Sequence, residues 1–228
     1  GERPIFDLFD VESEIKRALD KKVELKSGGY LVIDQTEAMT TIDVNTGAFV
    51  GHRSLEDTIF NTNSEATQAI ARQLRLRNLG GIIIIDFIDM DSVDHQRRVL
   101  HSLDLALGKD KAKTKINGFS NLGLVEMTRK RTRESLEHVL CGACPACKGR
   151  GYVKTVETIC AELLREIVRV NRAYKADQFV VYASPAVAES LINDEYHNLA
   201  ELEVFIGKQI KVKTEPMYNQ DQFDVVMM

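Results

Sequence analysis

The stretch GGIIIIDFIDM, from Gly80 to Met90, places four consecutive isoleucines directly before an aspartate. A short apolar run between turn residues is typical of a strand that is buried on both faces of a sheet. An unpaired carboxylate at the end of such a strand is costly to remove from water. We therefore expect Asp86 to lie at the carboxyl edge of the sheet, where functional side chains collect in open α/β folds.

A second β stretch, YLVIDQTEAMTTIDVNTG at residues 30–47, predicts two strands joined by a tight turn near residues 36–38. Asp43 lies late in this stretch, so we expect Asp43 and Asp86 to meet at adjacent strand ends. Two such carboxylates repel each other unless a cation lies between them, and Mg²⁺ takes one or two carboxylates together with phosphate oxygens. Asn45 lies two residues further along the strand, on the same face, where it can orient a metal-bound water. The alternative is that both acids only end their strands.

Helical periodicity separates these β stretches. Strands that alternate with helices predict a layered α/β domain over residues 1–138. Its predicted parts are a short entry followed by an amphipathic helix within residues 4–20, a helix from Asn63 as N-cap to Asn78, a helix capped by Asp91 or Ser92, and strands at 113–116 and 123–127.

The segment CGACPACKGRG, at residues 141–151, has neither helical nor strand periodicity and predicts a linker, which we place at residues 139–152. Beyond it, residues 153–228 predict a small α+β domain that begins with a long helix at residues 156–174. Cys160 lies on the apolar stripe of that helix, which favours a buried thiol over a metal ligand.

The bulk composition is that of an ordinary globular protein. The 228 residues are 44% hydrophobic, 28% charged and 7% aromatic, with no tryptophan and a net charge of −4. The sequence shows no apolar run of membrane-spanning length and no signal peptide, so we expect a cytoplasmic protein without a membrane partner. It begins Gly-Glu-Arg-Pro and not with Met, which indicates a fragment of a longer protein.

One stretch departs from the overall negative charge. Residues 109–133 contain eight basic and two acidic side chains, which indicates either a solvated face or a phosphate-binding surface. The candidate phosphate contacts are Lys113, Arg129, Lys130, Arg131 and Arg133.

Cys144 and Cys147, in the motif CPAC, have the spacing at which two thiolates reach one tetrahedral metal ion. A structural zinc needs four ligands, and three completions remain open. Cys141, His138 or Cys160 joins in the same chain; or Cys141, Cys144, Cys147 and Cys160 hold an iron–sulfur cluster; or two chains each donate Cys144 and Cys147 to one shared Zn²⁺. The last arrangement predicts a homodimer.

Four segments together resemble the ribonuclease E/G family of bacterial endoribonucleases. They are IDVNTG, FNTNSEATQAIARQLRLRNLGGIIIIDFIDM, GLVEMTRKRTRESLEHVL and CPACKGRG. The resemblance extends over essentially all 228 residues and corresponds to the carboxyl-terminal half of the family's catalytic region. It implies a deoxyribonuclease-I-like subdomain, a zinc-link, and a dimerisation domain that allows a homodimer or a higher oligomer.

The same resemblance implies roles for single residues. Asp43 and Asp86 match the family's magnesium ligands, Asn45 matches its water-orienting amide, and Cys144 and Cys147 match its shared zinc-link, whereas Cys141 has no counterpart in the two-cysteine motif. The implied activity is cleavage of single-stranded RNA in ribosomal RNA maturation and messenger decay, which leaves 5′-phosphate and 3′-hydroxyl ends.

Two further expectations follow. The family's amino-terminal half, with its oligonucleotide-binding-fold module and 5′-monophosphate sensor, has no counterpart here, so we expect this chain alone to cleave RNA weakly. The rival hypothesis is a non-catalytic, zinc-linked oligomerisation scaffold in which the carboxylates are structural.

Overall fold

The computed structural model describes residues 4–47 and 55–228. The chain folds as two compact units, Gly1–Cys141 and Gly142–Met228, and each unit has its own hydrophobic core. Both units combine helices with a sheet, which confirms the predicted mixed α/β class. The division falls inside the predicted linker of residues 139–152, whose role as a zinc-link stays a prediction.

The first unit contains one mixed sheet. Its strands are β1 (Lys22–Glu24), β2 (Tyr30–Gln35), β3 (Met39–Asn45), β4 (Gly81–Asp86), β5 (Thr114–Phe119) and β6 (Leu124–Arg129). Within the described part of this unit, the strand order is β1-β2-β3-β4-β6-β5. β3 and β4 are parallel, and the other neighbouring pairs are antiparallel. The predicted strands and the turn between β2 and β3 are therefore confirmed.

Helices cover one face of this sheet. The helices of the unit are α1 (Ile5–Leu8), α2 (Val11–Leu19), α3 (Leu55–Leu76), α4 (Val93–Leu107) and α5 (Leu136–Leu140). The inner stripes of α3 and α4, with Ile70, Leu74 and Leu103 fully buried, pack in one core with Ile83 and Ile85 of β4. Burial of such side chains is the main favourable contribution to the stability of the unit.

Two predictions about this unit are wrong. β4 is buried on one face only, because Ile82 is 49% exposed and Ile84 is partly exposed, whereas Ile83 and Ile85 are fully buried. Asn63 is not an N-cap but lies inside α3, one residue after the buried Thr62. The predicted start of α4 is confirmed, since the Ser92 hydroxyl accepts the N–H of His95 at the N-cap position.

The second unit is smaller. Its elements are α6 (Val156–Ala173), β7 (Gln178–Ala183), α7 (Pro185–Asn193), α8 (Tyr196–Ile206), β8 (Gln209–Thr214) and β9 (Phe223–Met227). β7 lies between β8, to which it is parallel, and β9, to which it is antiparallel. Cys160 is fully buried on the inner stripe of α6, as predicted, and α8 is an element that the sequence analysis missed.

None of the helices in the described ranges has both the length and the apolar character that a membrane span requires.

Candidate active site

Asp43 and Asp86 are direct register partners on the parallel strands β3 and β4. Adjacent strands lie about 4.8 Å apart, so the two backbones hold these side chains next to each other. Ile42 and Val44 of β3 and Ile85 of β4 point into the core, and strand alternation therefore turns both carboxylates to the open face. Both aspartates are exposed there.

Asn45 lies on the same face as these carboxylates, two residues beyond Asp43. Its side-chain amide Nδ2 donates a hydrogen bond of 2.8 Å to Oδ2 of Asp43. This contact fixes one carboxylate oxygen of Asp43 and keeps the amide beside the pair. The structure thus brings together all three residues that the sequence singled out at the strand ends.

The electrostatics of the pair are those of crowded like charges. Partial burial raises the pKa of Asp86, and the neighbouring carboxylates of Asp43 and Asp89 raise it further. A cation between the carboxylates would relieve this repulsion. Across residues 4–47 and 55–228, no group of three or more His, Cys, Asp or Glu side chains is placed to hold a metal ion. Asp43 and Asp86 themselves offer two oxygen-donor side chains, and Mg²⁺ in phosphate chemistry is commonly held by one or two carboxylates.

The end of β3 is held by close backbone packing. A Cβ atom at Gly29 would lie 2.5 Å from the carbonyl oxygen of Asn45 and 2.9 Å from Cγ2 of Thr62, so only glycine allows this approach. The Glu65 carboxylate of α3 accepts the backbone N–H groups of Lys26 and Ser27 at 2.6 and 2.9 Å. These contacts tie the turn between β1 and β2 to α3, directly beside Asn45.

The segment after β4 is held by the same helix, through a residue whose role the sequence analysis missed. Asn63 is fully buried and forms two hydrogen bonds with the backbone of Ile88. One sequence signal could have predicted that Asn63 bonds polar groups inside the protein. Asn63 shares the inner stripe of α3 with Ala66, Thr67 and Ile70, and an asparagine on a buried stripe needs polar partners inside the protein.

The predicted phosphate contacts lie away from the carboxylates. Gly81, at the start of β4, pairs with Arg129, whereas Asp86 ends the same strand five residues later, about 17 Å away at the rise of an extended strand. Lys113 and Lys130 line a cavity of about 450 Å³ at the starting end. Arg131 and Arg133 line a second cavity of about 340 Å³, and the Nε of Arg131 donates to the carbonyl of Gly80.

Arg129 does not belong to this exposed basic group. It is 5% exposed, and its guanidinium donates to the Asp110 carboxylate at 2.7 Å and to the carbonyl of Leu79 at 2.7 Å. A buried, paired guanidinium is not available to an RNA phosphate, so the predicted contact at Arg129 is corrected to a structural ion pair.

The CPAC motif forms a tight loop in the second unit. The N–H of Lys148 donates to the carbonyl of Cys144 at 2.7 Å, and Lys148 has a positive φ of 52° that turns the chain back. The backbone N–H groups of Gly151 and Gly149 lower the pKa of the Cys147 thiol. Backbone donors that face a sulfur favour the thiolate, which is the form that binds zinc.

Comparison with known families now adds to this geometry. The model of the Ribonuclease E/G family matches residues 1–132, and the RNase E/G, Thioredoxin-like domain matches residues 143–228. The chain belongs to the ribonuclease E/G family. The thioredoxin-like description replaces the looser prediction of a small α+β domain for the second unit.

Individual relatives agree with this assignment. The chain is 76% identical over 228 residues to Ribonuclease G of Escherichia coli K12 and 70% identical over 229 residues to Ribonuclease G of Haemophilus influenzae Rd. It is 42% identical over 195 residues to Ribonuclease E of Escherichia coli K12, with 86% of the chain covered. In both Ribonuclease G comparisons the whole chain is covered, yet it spans only 47% of the relative's length, and it spans 18% of Ribonuclease E.

Proposed function

We propose that this chain carries the catalytic dicarboxylate of a metal-dependent endoribonuclease that cleaves single-stranded RNA. The observation that carries the proposal is the register pairing of Asp43 and Asp86 on the open face of the sheet. The names of the relatives, Ribonuclease G and Ribonuclease E, support the substrate and the reaction class. The products are 5′-phosphate and 3′-hydroxyl ends, and the cellular setting is ribosomal RNA maturation and messenger decay in the cytoplasm.

Asp43 and Asp86 fit Mg²⁺ because they are hard oxygen donors that repel each other at a partly solvated strand end. When bound, Mg²⁺ supplies Lewis-acid polarisation of the phosphate and a nucleophilic water. The amide of Asn45, fixed against Asp43, is placed to orient a water or a phosphate oxygen. This arrangement serves an in-line displacement at the scissile phosphate better than a purely structural role.

The exposed basic residues serve to hold the RNA backbone. Lys113, Lys130, Arg131 and Arg133 are exposed near the starting end of β4 and supply positive charge for phosphates. An RNA strand that contacts both these basic residues and the two carboxylates would run along β4 on the open face of the sheet. With 7% aromatic residues and no tryptophan, the chain is better suited to positioning the strand than to reading its bases.

For Cys144 and Cys147 we propose a Zn²⁺ shared between two chains in a homodimer. The turn at Lys148 and the backbone donors around Cys147 fit a two-thiolate metal loop. The rival hypothesis of a zinc-linked scaffold without catalysis uses the same two cysteines and makes the Asp43–Asp86 pair structural, but partial burial and the like charge of Asp43 raise the pKa of Asp86 instead of stabilising the strand ends.

Two properties of the cleavage reaction test this proposed function: its dependence on Mg²⁺, and the chemical groups at the ends of the RNA fragments. A cleavage-competent protein that contains this chain is incubated with a 5′-monophosphorylated single-stranded RNA, with Mg²⁺ or with a chelator. We expect cleavage only with Mg²⁺ and fragments that end in 3′-hydroxyl and begin with 5′-phosphate. Cleavage that continues in the chelator, or fragments with 2′,3′-cyclic phosphate ends, would contradict it.

A further inference from the structure

Asn63 forms an unusually complete contact with the segment that follows Asp86. Its Nδ2 donates to the carbonyl oxygen of Ile88 at 2.8 Å, and its Oδ1 accepts the N–H of Ile88 at 3.1 Å. The NH₂ group and the carbonyl oxygen of the Asn63 side chain thus bond the C=O and the N–H of the same residue, Ile88. The contact joins α3 to a residue 25 positions away, two residues beyond Asp86.

This contact belongs to a set that fixes the whole segment. Phe87 and Met90 are buried at 3% and 8% exposure, and the side-chain amide of Gln96 donates to the carbonyl of Met90 at 2.8 Å. Phe87 and Met90 are therefore held by burial of their side chains, and Ile88 between them is held by its two backbone hydrogen bonds with Asn63. As a result, Asp86 and Asp89 both face outward.

We propose that Asn63 is a positioning residue for the Mg²⁺ site: it fixes the backbone after β4 and thereby sets the place of the Asp86 carboxylate relative to Asp43. The proposal rests on the proposed function. Asn63 does not reach the reacting atoms and acts only through Asp86.

The physical reason lies in what Mg²⁺ requires. The ion accepts little departure from octahedral geometry, so its ligands need support that locks their position. The two hydrogen bonds with Asn63 are the polar contacts that the structure shows for the partly buried backbone of Ile88. Without them, that backbone turns toward water, because an unpaired buried N–H or C=O is unfavourable, and Asp86 moves with it.

The same helix offers a matched control. Thr67 lies one turn after Asn63, is equally buried, and uses its hydroxyl on the carbonyl of Ser64 and the hydroxyl of Ser102. Thr67→Ala therefore removes buried hydrogen bonds from α3 without touching Ile88. A general loss of stability affects both variants, whereas a loss of positioning affects only the variant at Asn63.

The first measurement needs no catalysis. Amide hydrogen exchange of the 228-residue chain should show at least tenfold faster exchange at Ile88 in Asn63→Ala, and an unchanged rate there in Thr67→Ala. An Ile88 amide that stays as protected in Asn63→Ala as in the wild type would overturn the proposal, because the clamp would then not hold the segment.

The second measurement is the Mg²⁺ concentration that gives half-maximal cleavage, taken in a cleavage-competent protein that contains this chain. We expect this midpoint to rise at least fivefold in Asn63→Ala, with the KM for RNA unchanged, and to stay the same in Thr67→Ala. A wild-type midpoint in Asn63→Ala, together with an exposed Ile88 amide, would show a merely structural clamp and overturn the proposal.

Two further variants keep the outcome decisive. Asn63→Ser replaces the amide by a smaller side chain that still offers one hydroxyl as a hydrogen-bonding group, so it is used if Asn63→Ala does not fold. It should raise the midpoint by a smaller factor than Asn63→Ala, and an unchanged midpoint would count against the proposal. Asp86→Asn is measured in parallel. If Asp86→Asn cleaves like the wild type, the proposed function itself fails, whereas an inactive Asp86→Asn with an unchanged midpoint in Asn63→Ser refutes only the role of Asn63.

Discussion

At the scale of single residues, Asp110 and Arg129 form a buried ion pair with 2.7 Å between Nε of Arg129 and Oδ2 of Asp110. The side chains alone of Arg129 and Asp110 are 4% and 3% exposed, although both residues lie in the most basic stretch of the chain. Burial by itself raises the pKa of Asp110, but the hydrogen bonds from Arg129 and from the N–H of Ala112 outweigh it and hold the pKa below its ordinary value.

This shift predicts a defined loss of stability in acid. Because the folded pKa is depressed, the pair stabilises the fold above the unfolded pKa of about 3.9, and the contribution is lost as the pH falls through the lower folded value. Asp110→Asn should cost roughly 3 kcal/mol of unfolding free energy near neutral pH, since it leaves Arg129 buried without a counter-charge.

Denaturant unfolding at pH 7 and below pH 4 measures this effect. Asp94→Asn is the control, because Asp94 forms an exposed pair with Arg98 at 4.0 Å, and such pairs contribute about 0–1 kcal/mol. Equal costs for the two variants at pH 7 would show that burial does not set the strength of the Asp110 pair.

Some residues of the candidate site could be predicted from the sequence, and others could not. The strand-end positions of Asp43, Asn45 and Asp86 follow from alternation and from the carboxyl-edge rule, and the structure places all three together. The burial of Arg129 could not be foreseen, because it depends on its partner Asp110 from a separate loop. The role of Asn63 depends on Ile88 and is likewise a tertiary contact.

At the scale of elements, β4 is the strand whose environment the sequence describes least well. Four isoleucines in a row give no alternation, so the pattern alone cannot tell one covered face from two. Helices α3 and α4 cover the side of Ile83 and Ile85, whereas Ile82 and Ile84 lie on the face that carries the carboxylates.

This asymmetry predicts unequal costs of truncation along the strand. Ile83→Ala removes a fully buried side chain and should destabilise the 228-residue chain by about 3 kcal/mol, whereas Ile82→Ala, at a half-exposed site, should cost under about 1 kcal/mol. Denaturant midpoints of the two variants test the difference. Similar costs would mean that the open face is covered when the chain is in solution.

The sequence pattern did not predict helix α8, because α8, like β4, lacks the contrast between apolar and polar faces. Val204 and Phe205 are 84% and 72% exposed, whereas Leu199 of the same helix is buried. Apolar residues on the outside of a helix remove the periodic contrast on which recognition from sequence depends. The helices α4 and α6, whose inner and outer faces differ, were predicted within a few residues.

At the scale of the whole molecule, the proposed zinc site predicts how chains associate. If two chains share one ion through Cys144 and Cys147, native mass spectrometry with metal analysis should find one zinc for each two chains. The double variant Cys144→Ala, Cys147→Ala should lose the metal and weaken the dimer, because each chain then offers no thiolate to the shared site.

Cys141→Ala is the matched control. Cys141 is exposed and lies outside the CPAC loop, so the shared site predicts an unchanged zinc content and an unchanged dimer. One zinc for each chain, or loss of zinc in Cys141→Ala, would favour completion of the site within a single chain and contradict the shared ion.

We propose that Asp43 and Asp86 together hold the catalytic metal, and the cleavage rates of three single variants decide whether they do. In a cleavage-competent protein that contains this chain, Asp43→Asn and Asp86→Asn should each lower the rate at saturating Mg²⁺ by roughly a hundredfold or more, with RNA binding nearly unchanged. Asp89→Asn, at an exposed acid three residues after Asp86, should retain most of the activity. Near wild-type cleavage by Asp86→Asn, or an equal loss in Asp89→Asn, would contradict the assignment of the metal site to the paired strand ends.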